Sequence, residues 1–203
     1  MGTNRNKLFA NHAKVLTTQP IYPVIGQRKS KVNWPLCVDE KIAEILGILI
    51  HNGKVSRSEQ FILVRGITKQ PQVEQRLETL LYDLHLTLNT NSQQWSGLFR
   101  CITPAIYSAE FARTFLSLLD CDRLTQLMGL ETIPECIKLS PRPIQQAFFV
   151  GYVSSCFTEL KNKQLFIYPS MPSYKQELQD ILNLLNIEST ITKDALYTSL
   201  GLE

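Results

Sequence analysis

Residues 45–53 read ILGILIHNG and residues 149–157 read FVGYVSSCF, and the reading of these two stretches decides the fold. Each is an apolar run with a glycine at its third position, Gly47 or Gly151. Around the first, apolar residues stand at 42, 45, 46, 49 and 50, the i, i+3, i+4 spacing of a helix. Asp39 is placed to cap its start and Gly53 to stop it. Outward from there, KVSR (54–57), a turn at 58–60 and the β-branched run FILVRGI (61–67) predict a hairpin. Residues 71–86 place Val73, Leu77, Leu80, Leu81 and Leu84 on one face, an amphipathic helix that a sheet would cover. TLNTNSQQ (87–94) and WSGLFRCITP (95–104) read as two strands joined through an Asn/Ser-rich turn, and residues 108–120 as a helix with Ser108 as cap and Glu110 in its first turn.

After Pro141 and Pro143 the order begins again. Residues 144–157 are a helical apolar run, 158–169 a hairpin turning at 161–163, and 173–187 an amphipathic helix with Leu178, Ile181, Leu182, Leu184 and Leu185. STITK (189–193) and ALYTSL (195–200) make two short strands. The expected class is α+β, built from two pseudo-symmetric αββαββ(α) repeats with antiparallel sheets. The divisions are an arm over 1–38, a first repeat over 39–120, a connector over 121–141 and a second repeat over 142–203.

At 203 residues and 44% hydrophobic, the chain can bury a sizeable core. No apolar run approaches the length that spans a bilayer, so no membrane partner is expected. Five widely spaced cysteines without a C-x-x-C pair fit neither a zinc site nor a disulfide framework, which favours an intracellular, reducing compartment. The net charge of +3 is unevenly spread, because residues 1–38 carry Arg5, Lys7, Lys14, Arg28, Lys29 and Lys31 and no acid. The remainder holds fifteen basic against eighteen acidic residues, a net of −3. An acid-free basic arm is the form of a phosphate-neutralising tail or of an organelle-targeting segment, the latter pointing to a mitochondrion or plastid.

Two repeats of helix, hairpin, helix, hairpin, each opened by an apolar helix with an inner glycine, resemble the monomeric LAGLIDADG homing endonucleases in a degenerate form, over about residues 39–203. Ile133 and Pro134, shortly before the second motif, and a Leu-Asn-Ile close to the following helix add to the likeness. The resemblance implies that the two motif helices pack at a pseudo-twofold axis within a monomer, with Gly47 and Gly151 letting the backbones approach. It also implies a saddle of two sheets for nucleic acid, and a carboxylate at the eighth motif position that holds a divalent metal beside the scissile phosphates. Here that position is Asn52 in one motif and Cys156 in the other, and the sixth is Ile50 and Ser154. Neither Asn nor Cys offsets the dehydration of a hard cation, so no catalytic residue, metal or other cofactor is expected. Glu159 and His51 are the residues nearby that could restore cleavage; the plainer reading has His51 as a positive group at a helix end and Glu159 on a solvated hairpin edge.

Candidates for nucleic-acid contact on the strands are Lys54, Arg57, Arg65, Arg100, Lys161, Lys163 and Lys193, with Phe166 and Tyr168 alternating onto one face. The arm's Arg5, Lys7, Lys14, Arg28, Lys29 and Lys31 extend the set. An acidic body with a basic arm suits docking on structured RNA better than gripping a long duplex. The expected function is therefore an inactive homing-endonuclease-like protein that binds RNA, as a splicing factor or a structural part of a ribonucleoprotein such as an organellar ribosome, with other proteins of that particle as neighbours. The alternatives are a divergent endonuclease still cleaving double-stranded DNA and a non-cleaving DNA-binding regulator.

Overall fold

The structure, a computed structural model, describes residues 21, 31–66, 69–96, 99–119, 133–161, 164–168 and 174–199. The first motif stretch forms α1, Glu40–Asn52. Extended Asp39 starts it, its carboxylate accepting the Ile42 N–H at 2.8 Å and satisfying a donor that the first turn leaves orphaned. The chain then runs through β1 (Gly53–Val55), β2 (Ile62–Val64), α2 (Pro71–Asp83), β3 (Leu88–Asn89), β4 (Gln93–Ser96), β5 (Phe99–Ile102), β6 (Ala105–Ile106) and α3 (Ala109–Leu118). A short helix, α4 (Glu135–Lys138), lies within the expected connector. The second unit is α5 (Arg142–Ser155), β7 (Phe157–Lys161), β8 (Gln164–Tyr168), α6 (Tyr174–Leu184), β9 (Ser189–Ile191) and β10 (Leu196–Ser199).

The duplication is plain in the sheets. One has the order β1-β2-β6-β3 and the other β7-β8-β10-β9, all neighbours antiparallel. In each, the second strand of the opening hairpin pairs with the last strand of the unit. Leu77, Leu80 and Leu81 of α2 are buried, as are Leu178, Ile181, Leu182 and Leu185 in and after α6. Leu184, expected on that apolar face, is exposed, because it lies off the i, i+3, i+4, i+7 stripe its neighbours form.

One expected hairpin is built differently. Residues 87–94 and 95–104 do not reverse at the Asn/Ser segment; β3 and β6 pair in the sheet, and beyond them β4 and β5 pair alone as a two-stranded ribbon, Ser96 opposite Phe99. The Asn89 side chain accepts the Asn91 N–H at 3.0 Å, bending the chain out of the sheet without turning it back. The base of the ribbon is closed by the Thr103 N–H on the Ser92 carbonyl, 2.9 Å, and by the Ser92 hydroxyl on that of Tyr107, 2.9 Å.

Part of the basic arm lies on the first unit. The Asn33 N–H donates to the Leu84 carbonyl, and the Lys31 N–H and the Trp34 indole N–H donate to the two carboxylate oxygens of Glu110, at 3.2 and 3.0 Å. The Trp34 ring stacks on Phe111 with centroids 5.5 Å apart. Arg5, Lys7, Lys14, Arg28 and Lys29 fall outside the described residues.

The units differ by one residue at the end of their first helices. The α1 ladder closes with the Gly53 N–H on Leu49, six residues past Gly47, whereas α5 closes with the Cys156 N–H on Tyr152, five past Gly151. Because side chains alternate along a strand, a single-residue slip exchanges the two faces. Val55, eight residues past its glycine, joins the core with Ile62, Ile106 and Leu88 across the register, while Glu159, eight past its own, stands on the open face.

Candidate nucleic-acid interface

The two motif helices meet along their glycines. A Cβ added at Gly47 would fall 2.2 Å from the Phe148 carbonyl oxygen and 2.7 Å from the Tyr152 nitrogen; one at Gly151 would fall 2.2 Å from the Glu44 carbonyl oxygen. Backbone lies against backbone, so only residues without a side chain fit. Gly47 and Gly151 both stand in this close contact between α1 and α5.

At the far ends of these helices sit Asn52 and Cys156, the eighth residues of the two stretches. Asn52 is the last residue of α1, nearly buried at 9% exposure, with its carbonyl accepting the Arg65 N–H at 2.8 Å. Its side-chain Nδ2 is buried without a hydrogen-bond partner among the described residues. Gly66, next to Arg65, adopts a left-handed φ of 74° that a side chain would strain. Cys156 is not helical; it is the extended cap of α5, buried, and burial pushes its thiol up to about 12, partly opposed by its contact with the Tyr152 hydroxyl. Ser154 and Ser155 turn their hydroxyls onto their own helix, to the Val150 carbonyl at 2.8 Å and the Tyr152 carbonyl at 2.9 Å. His51, expected as a positive group at the helix end, is instead half-buried edge-on to Tyr152, ring centroids 6.2 Å apart, and burial lowers its pKa. An amide, a protonated thiol and a neutral imidazole do not fit a hard divalent cation, and among the described residues no group of three His, Cys, Asp or Glu side chains is placed to hold a metal.

The side of the first sheet turned away from the core carries Lys54, Leu63, Ala105 and Asn89 in one row across its strands, with Ala105 itself buried. Beside the row, at the ends of β2 and β6, Phe61 and Tyr107 pair with ring centroids 5.2 Å apart. Arg57 is exposed in the β1–β2 turn and Arg65 exposed just past β2. Arg100 stands in β5, on the ribbon and away from this row, and its side chain lies outside the described ones.

On the second sheet, Leu165 and Ile167 pack inward, which leaves Gln164, Phe166 and Tyr168 on the open side. Phe166 stands opposite Glu159 on one neighbouring strand and Tyr197 on the other, and stacks on Tyr197 with centroids 5.3 Å apart at 30°. The Glu159 Oε2 accepts the Tyr168 hydroxyl at 3.1 Å and pairs with the Lys161 ammonium at 2.7 Å. These two contacts, Lys161 foremost, hold the Glu159 carboxyl below its ordinary range. The expected solvated edge residue is thus part of a small polar cluster. Lys193 is exposed in the β9–β10 turn, and Lys163 lies outside the described residues. The structure therefore gathers Lys161, Phe166 and Tyr168 on one surface and keeps Lys54 and Arg65 on the other sheet. Tyr197 was not singled out from the sequence, although its alternation in ALYTSL carried the signal.

No protein-family model matches the chain by sequence, and no curated protein does. By structure, full-length DUF199/WhiA from Thermatoga maritima aligns over 83% of this chain with a TM-score of 0.53 at 14% identity; the chain spans about half, 54%, of that protein's length. A mesophilic variant of the homing endonuclease I-DmoI aligns over 81% of this chain and 90% of its own, with a TM-score of 0.50 at 16% identity. An I-DmoI variant in complex with its target DNA in the presence of manganese aligns over 81% of this chain and 88% of its own, with a TM-score of 0.50 and 16% identity. The two motif helices, the paired four-stranded sheets and these neighbours together give the chain the LAGLIDADG homing-endonuclease fold.

Proposed function

We propose that this protein binds nucleic acid without cutting it, and that its partner is structured RNA, bound as a splicing factor or as a structural component of a ribonucleoprotein such as an organellar ribosome. The observation that carries the reading is the neutrality of the two helix ends: Asn52 and the buried Cys156 thiol stand where the fold's cutters are expected to keep carboxylates. Without that negative charge a cation would shed water at a cost nothing repays. Nucleic acid as the partner class is supported by I-DmoI, which shares the fold and has been captured with its target DNA. RNA is favoured over a long duplex by the net of −3 outside the arm and by the aromatic open face of the second sheet. A monomer with an internal pseudo-twofold suffices for such a saddle. Reduced thiols at Cys37, Cys136 and Cys156 suit an intracellular compartment, and the basic arm an organellar one.

The test is to crosslink the protein in cells and sequence the bound nucleic acid. Recovery of a defined structured RNA is expected, and recovery of a single duplex DNA site refutes the choice of RNA. Incubating plasmid with the protein and Mg²⁺ or Mn²⁺ is expected to leave it intact; cleavage that disappears in Glu159→Gln refutes the claim that it does not cut.

A further inference from the structure

We infer that the open face of the second sheet holds one unpaired guanine base, stacked on Phe166 and Tyr197 and read at its Watson–Crick edge by Glu159. The inference rests on the RNA-binding reading and narrows it to a base and a place. Glu159, Phe166, Tyr197 and Thr190 form a continuous row across the four strands. Both rings are half-buried and stack on each other, with planes 30° apart, so a base extends that stack from the side of Phe166 turned toward Glu159. Adjacent strands lie about 4.8 Å apart, so a base lying on Phe166 brings its edge within hydrogen-bond reach of a carboxylate one strand away.

The carboxylate decides which base. An ionised carboxylate only accepts, with about four lone-pair sites, and the Tyr168 hydroxyl and Lys161 ammonium both use Oε2. That leaves Oε1, whose two lone-pair sites can take two neighbouring N–H donors converging on it. Guanine presents such a pair, N1–H and N2–H, on its pairing edge; adenine and cytosine present one amino donor beside a ring-nitrogen acceptor, and uracil one N–H between two carbonyls, each of which sets a lone pair against Glu159. In a duplex that edge is already consumed by cytosine, so the site takes an unpaired base. Lys161 compensates Glu159 when the site is empty, and Lys161 and Lys193, both exposed, lie where flanking phosphates would pass.

Fluorescence anisotropy on the full chain, with labelled ten-nucleotide single strands of oligo(U) carrying a central G, A or C, tests the site. The G-bearing strand is expected to bind about tenfold more tightly than oligo(U) and than the A and C strands. Glu159→Gln should erase that preference while leaving oligo(U) binding within about twofold. Phe166→Leu or Tyr197→Leu, each confirmed folded by its thermal transition, should weaken every single strand by about tenfold. Equal binding of all four strands, a G preference that survives Glu159→Gln, or tighter binding to the corresponding duplex overturns the inference. If the protein still captures its structured RNA while Phe166→Leu changes nothing, this site falls and the RNA reading stands. If no RNA binds at any attainable concentration, both fall.

Discussion

Gly47→Ala tests the closeness of the two motif helices most directly. The added methyl would sit 2.2 Å from the Phe148 carbonyl oxygen, about 1.2 Å short of ordinary van der Waals contact, and its obstacle is backbone rather than a side chain that can rotate away. Relief requires the helices to part by roughly 1 Å. A gap of that size forfeits roughly a quarter to a half of each contact's dispersion energy along the seam, where Phe148 and Tyr152 are fully buried. Loosened packing and residual strain should cost about 3–4 kcal/mol, at the upper end of overpacking penalties. Alanine returns about 1 kcal/mol through its better helix propensity, so the net loss is about 2–3 kcal/mol. For a chain of this size that is a fall in Tm of about 4–12 °C, readable by circular dichroism. Gly151→Ala should behave alike, its methyl falling 2.2 Å from the Glu44 carbonyl oxygen. The double variant should lose less than the sum, because one separation relieves both clashes. A Gly47→Ala protein as stable as the parent, or more so, would mean that propensity alone is felt and that the backbones do not touch.

Burial holds His51 below its ordinary pKa of 6.5, so the unfolded chain takes up the proton first as pH falls. Its contribution to stability is fully present above about pH 6.5 and is lost progressively below it; urea midpoints from pH 7.5 to 5 should drop, and the drop should shrink in His51→Gln, with identical profiles refuting the assignment. With the Cys156 thiol raised to about 12 and buried, iodoacetamide at pH 8 should leave it unmodified by peptide mass spectrometry while half-buried Cys37 is alkylated, and equal labelling would contradict the described packing. Glu110→Ala removes the acceptor of both the Lys31 N–H and the Trp34 indole, so trypsin should cut after Lys31 several-fold faster; an unchanged rate would show that this carboxylate does not tie the arm down.

The two glycine-centred helices, the Asp39 and Ser108 caps and the amphipathic α2 and α6 were legible because each depends on neighbours a turn or less away. The ribbon was not. Asn89 to Ser92 has the composition of a reversal, but its side-chain hydrogen bond bends the strand and lets it continue, and the two-residue strand Ala105–Ile106 is too short to show a period. Strand alternation was enough to put Phe166 and Tyr168 on one face. It puts Tyr197 on the outer side of its own strand as well, but only the long-range β8–β10 pairing brings that ring beside Phe166. Counting letters from the glycines made Asn52 and Cys156 equivalent, whereas the hydrogen-bond ladders end one residue apart and leave one inside a helix and the other beyond it. His51 gave no sign of its burial, since a helix end is more often wet.

That offset between the ends of α1 and α5 has a bearing on descent. If an ancestor of this chain did carry matched acids, restoring them with Asn52→Asp and Cys156→Asp would place one carboxylate on the last helical residue and the other on an extended cap. Along β7 and β8 the side chains would still alternate one residue out of step with β1 and β2, with Glu159 and Phe166 outward where Val55 and Ile62 face the core. A return to a symmetric pair therefore calls for an insertion at the end of α5 and for new side chains along β7 and β8. Two point substitutions would not make the halves match, because the outward side chains of the second sheet differ from those of the first.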